Sequence, residues 1–181
     1  MEAIIFIVRT LLQVLLVTVF LLRVLLPVVR ADSRNQLSQA VIRLTNPLVL
    51  PLRRILPPAG KIDTASIAAL IIVQIAATAT LWLLGAYPWA ASAAQFLQIV
   101  FINLVLTLIQ FYSFAVFLYA LLTLIAPGTY SPAVALLTTL CEPLLRPIRR
   151  IIPPIGGFDL SALFVLIGLQ ALYIAIRPLL Y

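Results

Sequence analysis

The chain has 181 residues, of which 64% are hydrophobic and only 9% are charged, and its formal net charge is +7. An average soluble domain is roughly 45–50% apolar and about 25% charged, so this composition excludes a water-soluble globular fold. With no histidine and five acidic residues, the chain also lacks the usual ligands of a metal centre and the usual groups of acid–base catalysis. We therefore expect a membrane protein that is not an enzyme, with no catalytic residues, metal or cofactor.

The first predicted spanning helix covers residues 3–29. A bilayer core about 30 Å thick requires about 20 consecutive apolar helical residues, and this segment exceeds that length. The apolar stretch of a cleavable signal peptide is only about 7–15 residues long and follows a basic start, whereas this chain begins with Glu2. We expect the helix to be retained.

Three arginines lie within the predicted spans and are candidates for function, because ionisable residues in a bilayer are costly. Arg23 and Arg177 lie near helix ends, and Arg9 lies near the outer end of its helix, with Gln13 one turn further along. Long cationic side chains reach the membrane interface at low cost. We therefore expect these arginines to snorkel to the interface.

A basic connector follows the first helix. Residues 33–44 predict a shallow amphipathic helix. Proline removes a backbone donor and disfavours helix at the residue before it, so residues 45–60 are predicted not to form one continuous helix. We expect short helical pieces here, lying in the interface with their apolar sides down. The prolines on which this prediction depends are Pro47, Pro51, Pro57 and Pro58.

The second and third spanning helices are predicted at residues 64–86 and 96–126. The second is rich in alanine, which permits close helix approach and makes a homo-oligomer plausible. The third carries Asn103, Thr107 and Gln110 on one face. Such a face either lines an ion path or forms hydrogen bonds with a neighbouring helix, worth about 0.6 kcal/mol per contact. Helix packing is the favoured interpretation.

An offset of 96 residues aligns the first connector with a second one. NPLVLPLRRILPPAGKID, from Asn46, then lies over EPLLRPIRRIIPPIGGFD, from Glu142. With a fourth helix at 159–179, the sequence predicts an all-α membrane protein of four transmembrane helices. These form two parallel tandem repeats, 1–90 and 91–181, each with an amphipathic or re-entrant Pro/Arg-rich connector. The predicted structural residues of the connectors are Pro57, Pro58, Gly60, Asp63, Pro153, Pro154, Gly156 and Asp159.

Asp63 and Asp159 each directly precede a spanning helix. A carboxylate at that position caps free amide donors and complements the helix dipole. A second hypothesis pairs each aspartate with an arginine of its own connector, which would fix the connector against the helix. Capping and pairing are compatible.

The connectors hold most of the charge, and the loop at residues 85–95 holds none. The excess of Lys and Arg on cytoplasmic loops predicts cytoplasmic connectors and periplasmic termini. Juxtamembrane arginine contributes about 1 kcal/mol against an anionic leaflet, so topology alone could account for these residues. A specific role in binding lipid or a partner is the alternative. The candidates for that role are Arg53, Arg54, Arg146, Arg149 and Arg150.

The two connector strings resemble the YggT family of bacterial inner-membrane proteins, which is related to the YlmG proteins of cyanobacteria and chloroplasts. The likeness covers essentially the whole chain, and the second string is the closer match. The first string departs at Ala59 and Lys61. The resemblance implies a link to osmotic stress and potassium uptake, or to division, nucleoid or plastid organisation and cofactor assembly. It supplies no catalytic residues.

Two functions are therefore compatible with the sequence. The preferred one is a non-catalytic inner-membrane scaffold or assembly factor whose cytoplasmic connectors dock anionic lipid or a partner protein. The alternative is a component of potassium transport or osmotic-stress adaptation that uses the polar face of the third helix. We expect no nucleic acid partner, because the basic residues are confined to one membrane face.

Overall fold

The computed structural model describes residues 2–32, 34–57, 63–87, 90, 92–125, 131–151 and 159–180. Every regular element within these residues is a helix. Four helices are long and apolar enough to cross a membrane, as the sequence predicted. In chain order the helices are α1 (Glu2–Val28), α2 (Gln36–Ile55), α3 (Thr64–Leu83), α4 (Ala93–Ile125), α5 (Pro132–Arg149) and α6 (Leu160–Ile176), which a 3-10 turn (Arg177–Leu180) extends. The candidate spans are α1, α3, α4 and α6.

The middle of α1 is a π-helix, from Thr10 to Val17. Such segments are rare and change the face that a helix presents to its neighbours. Here the segment buries Gln13 and Val17, so that a polar side chain of α1 enters the interior of the bundle. The apolar pattern of α1 does not indicate this feature.

The first connector contains one continuous helix, so the prediction that its prolines interrupt it was wrong for Pro47 and Pro51. These prolines lie four residues apart, and both rings therefore occupy one exposed face of α2. The missing amide donors affect only that face. The opposite face, with Val41 and Val49 buried, packs against α1 and α3 and stabilises the helix as a whole.

The second connector follows the same pattern. Its helix α5 passes through Pro143 and Pro147, both exposed, and continues to Arg149. Residues 132–140 form the N-terminal part of this helix. Ser131 caps it by accepting a hydrogen bond from the amide of Val134 at 3.2 Å.

Both connector helices lie at one end of the bundle, here called the connector end. Leu26, Val41, Leu136 and Leu140 form one buried cluster there, which joins α1, α2 and α5. The side chain of Asn35 also donates a hydrogen bond of 2.7 Å from Nδ2 to the backbone oxygen of Pro132. At the opposite end, a second cluster joins the N-terminal part of α1 to the loop after α3 and to the C-terminal turn.

Candidate functional site

Each connector is fastened to the next spanning helix by an arginine–aspartate pair. Arg53 lies in the last turn of α2 and donates from Nη2 to Oδ2 of Asp63, the N-cap of α3. Arg149 lies in the last turn of α5 and donates from Nε to Oδ2 of Asp159, the N-cap of α6, at 2.9 Å. The structure confirms the predicted pairing of each aspartate with an arginine of its own connector. We call these contacts the first and second junctions.

Both aspartates also cap their helices, as predicted. Oδ1 of Asp63 accepts from the amide of Ser66 at 3.4 Å, and its Oδ2 accepts from the hydroxyl of Ser66 at 2.8 Å. Oδ1 of Asp159 accepts from the amide of Ser161 at 3.1 Å. Burial raises the pKa of each carboxyl, but hydrogen bonds from the arginine and the serine outweigh it, so both pKa values lie below the ordinary value.

Arg23 of α1 belongs to the first junction. The residue is only 6% exposed, so its guanidinium is enclosed by other helices at the connector end. The N-terminal turn of α3 lies beside it, and Nε of Arg23 donates to the hydroxyl of Ser66 at 3.4 Å. Nη1 of the same side chain is enclosed and has no hydrogen-bond partner among the described residues. Arg23, Ser66, Asp63 and Arg53 therefore form one chain of contacts linking α1, α2 and α3.

A cavity of about 350 Å³ opens beside this chain of contacts. Its wall consists of charged side chains of the first junction and apolar side chains of α1 and α2. Its lining residues are Arg23, Leu26, Pro27, Ile42, Arg53 and Asp63.

Arg149 of the second junction has three hydrogen-bonding partners. Besides Asp159, Arg149 donates from Nη1 to Oε2 of Glu142 at 3.1 Å and from Nη2 to the hydroxyl of Tyr119 at 2.8 Å. Its guanidinium carbon also lies 5.7 Å from the centre of the Tyr119 ring. Burial lowers the pKa of Arg149, but Asp159 and Tyr119 more than compensate and raise it above the ordinary value. One guanidinium therefore contacts α4, α5 and the start of α6.

Sequence reasoning did not single out Tyr119. A signal was available, because Tyr119 lies 96 residues after Arg23 and so occupies the corresponding position in the alignment of the two connectors. The same alignment places Glu142 opposite Asn46. The first junction therefore has Arg23 where the second has Tyr119. It has Asn46 where the second has Glu142, and these two positions are the main chemical differences between the junctions.

The other three candidate arginines of the connectors lie at the surface. Arg54, Arg146 and Arg150 are exposed, and none of them forms an ion pair with another described residue. Pro57 is also exposed, and its backbone oxygen accepts a 2.9 Å hydrogen bond from the hydroxyl of Thr64. The other predicted connector residues lie outside the described residues: Pro58, Gly60, Pro153, Pro154 and Gly156.

The polar face predicted for the third span is divided between the interior and the surface. Asn103 and Thr107 are buried. Nδ2 of Asn103 donates to the hydroxyl of Tyr87 at 3.0 Å, and the hydroxyl of Thr107 donates to Oε1 of Gln13 at 3.2 Å. Gln110 is exposed and donates to the hydroxyl of Tyr173 at 3.1 Å.

The two other arginines of the predicted spans lie at the end opposite the connectors. The half-buried Arg9 lies over the Tyr87 ring, 5.6 Å from its centre. Arg177 is exposed on the C-terminal turn. Arg9 therefore extends the buried contacts of Tyr87, whereas Arg177 adds a surface charge.

Comparison with known proteins places this architecture in a family. The CCB3/YggT family model matches residues 1–84 and 98–180. An uncharacterized protein of Pseudomonas aeruginosa is 38% identical, over 93% of this chain and 85% of its own length. A Vibrio alginolyticus protein is 35% identical over 94% of this chain and 91% of its own. The YggT protein of Escherichia coli K12 is 31% identical over 90% and 83%.

No solved structure matches the chain. The family match covers five of the six helices completely and α4 from Gln98 onward, and it includes both junctions and the free connector arginines. The chain belongs to the CCB3/YggT family.

Proposed function

We propose that this protein is a non-catalytic scaffold or assembly factor of the bacterial inner membrane, whose connector end faces the cytoplasm. Its connectors dock anionic lipid or a partner protein. The observation that carries this proposal is that some connector arginines are paired with an aspartate, whereas others are exposed. Arg53 and Arg149 hold the helices together, whereas Arg54, Arg146 and Arg150 are exposed and have no carboxylate partner among the described residues.

The connector helices carry Arg54 and Arg146, and Arg150 directly follows the last residue of α5. An exposed guanidinium offers several donors in a fixed fork, which suits carboxylate and phosphate groups. Because the junctions fasten α2 to α3 and α5 to α6, the free arginines project from a fixed framework and not from loose loops. Preorganisation of this kind lowers the entropic cost of binding a partner. The two units are proposed to be parallel tandem repeats, which would present two such groups on one membrane face.

Charge reversal at the free arginines tests the scaffold. The full chain carrying Arg54→Glu, Arg146→Glu and Arg150→Glu is affinity-purified from native membranes beside the wild type, and recovered proteins are quantified by mass spectrometry. We expect a partner recovered in stoichiometric amount with the wild type to be lost. The matched control is Arg177→Glu, an exposed arginine at the opposite end of the bundle. Equal recovery with the triple variant would refute docking through these residues.

The alternative function, potassium transport or osmotic-stress adaptation, depends on the polar face of α4. Asn103 and Thr107 are engaged with Tyr87 and Gln13, an arrangement that supports helix packing. The scaffold is therefore the function that the geometry favours. Potassium flux into liposomes holding the purified protein tests the alternative, and flux equal to that of empty vesicles would reject it.

A further inference from the structure

The first junction carries one positive charge more than its carboxylate can neutralise. Arg23 and Arg53 meet a single acidic side chain, Asp63, around the cavity. The residues between Pro57 and Asp63 include Lys61 and no acidic residue, so the sequence of that segment supplies no further carboxylate. A buried cation without a full complement of acceptors is costly. This junction is therefore short of an anion.

The second junction has the same arginine–aspartate pair with different residues around it. There Arg149 meets two carboxylates, Asp159 and Glu142, and a tyrosine hydroxyl takes the position that corresponds to Arg23. Two carboxylates face one guanidinium there, so the second junction has no uncompensated positive charge, and each nitrogen of the guanidinium donates at least one hydrogen bond. The first junction differs in having a buried arginine whose Nη1 has no hydrogen-bond partner in the described part of the chain, beside an open cavity.

We propose that the cavity of the first junction binds the phosphate group of a phospholipid headgroup, with Arg23 and Arg53 as its ligands. This deepens the proposed docking of anionic lipid by naming a site and a ligand. Arginine pairs phosphate with strong charge-assisted hydrogen bonds. Basic pockets between spanning helices commonly hold lipid headgroups. The volume of about 350 Å³ falls within the usual range of small-ligand sites.

The apolar part of the lining favours a lipid over a free anion. Leu26 and Pro27 belong to the last turns of the spanning helix α1, and Ile42 belongs to the adjoining face of α2. A phosphate with acyl chains attached gains burial against these side chains, whereas inorganic phosphate does not. Arg53, whose side chain is 42% exposed, retains donors beyond the one that it gives to Asp63.

Binding of dioctanoyl phosphatidylglycerol to the full-length protein in a neutral detergent tests the proposal. We expect saturable binding of one lipid per chain and no comparable binding of dioctanoylglycerol, which has no phosphate. Arg23→Tyr copies the second junction and should weaken the affinity about tenfold or more. Arg43→Gln removes the same charge from an exposed position of α2 that does not line the cavity, and it should change the affinity little.

Three results would overturn the assignment. These are binding of the phospholipid to Arg23→Tyr as tight as to the wild type, binding of dioctanoylglycerol as tight as that of the phospholipid, and binding of inorganic phosphate as tight as that of the lipid, which would indicate a free-anion site. If Arg23→Tyr fails to fold, Ile42→Trp fills the cavity and leaves all its charges in place. Ile42→Trp is expected to lose the same binding, and unchanged affinity refutes the site.

This test and the test of the scaffold can fail independently. The triple reversal of Arg54, Arg146 and Arg150 leaves the residues that line the cavity unchanged. A triple variant that loses its partner but retains the lipid supports both proposals. Lipid binding that depends on Arg23, with partner recovery unaffected by the triple reversal, supports the lipid site and rejects the scaffold.

Discussion

The hydroxyl of Tyr119 accepts a 2.8 Å hydrogen bond from Nη2 of Arg149 and thereby ties the C-terminal part of α4 to the end of α5. Because the same guanidinium binds Asp159 at the start of α6, one arginine connects three helices. The side chain is 27% exposed, and the surrounding contacts are therefore partly screened from water. The second junction is thus a structural element of the connector end.

Removal of this arginine should destabilise the protein. Arg149→Gln leaves Asp159 and Glu142 without their shared cation, and we expect a loss of about 1–2 kcal/mol, between the values for surface and buried ion pairs. Thermal unfolding in detergent measures the change. Arg150→Gln is the matched control: it removes an adjacent exposed charge and should alter stability by less than about 0.5 kcal/mol. Equal effects of the two substitutions would show that the junction does not stabilise the fold.

Cys141 is an internal reporter of the same junction. It is the only cysteine, it is fully buried, and burial raises the pKa of its thiol to about 12. Since the thiolate is the reactive form, maleimide should label the wild type slowly at neutral pH. Cys141 packs with Leu145 and Ala162 between α5 and α6, so opening of the second junction exposes it.

Asp159→Asn should therefore increase the labelling rate of Cys141, because it weakens the contact that holds α5 against α6. Asp63→Asn is the control: it makes the equivalent change at the first junction, where the cysteine is absent. Labelling is followed by mass spectrometry under native conditions. If both substitutions accelerate labelling equally, the two junctions do not open separately.

How much of this molecule could be predicted from sequence depends on the range of the interactions involved. The spans and the two aspartate caps depend on local signals, namely long apolar stretches and a carboxylate followed by serine. The path of α2 through Pro47 and the burial of Arg23 depend on contacts with other helices. Local propensity disfavours a helix that continues through Pro47, and the residues around Arg23 in the sequence do not identify the helices that enclose it. Packing between helices determines both features.

Stability should decrease at acid pH through the two capping aspartates. Their pKa values in the folded protein lie below the ordinary value of 3.8. Their contribution is therefore fully present above the ordinary pKa and is lost as the pH falls through the lowered folded values. We expect a nearly constant melting temperature from about pH 7 to about pH 5 and a decline below about pH 4.

The double variant Asp63→Asn and Asp159→Asn tests the source of this decline. It should be less stable than the wild type at neutral pH, and its melting temperature should fall much less between about pH 5 and about pH 3. Glu142→Gln alone should retain most of the wild-type decline, since both caps remain. A decline in the double variant as steep as that of the wild type would assign the acid sensitivity to other carboxyls.

The buried polar contacts of α4 should matter more for stability than its exposed one. Tyr87→Phe removes the acceptor of the Asn103 amide, which is then left buried without that partner. We expect a loss of about 1 kcal/mol, slightly above the typical value for a polar contact between spanning helices. Tyr173→Phe removes the hydroxyl to which the exposed side chain of Gln110 donates, and this substitution should have little effect on stability. Thermal unfolding of the two variants in the same detergent compares them, and a Tyr173→Phe loss as large as that of Tyr87→Phe would contradict a specific role for the interior contacts.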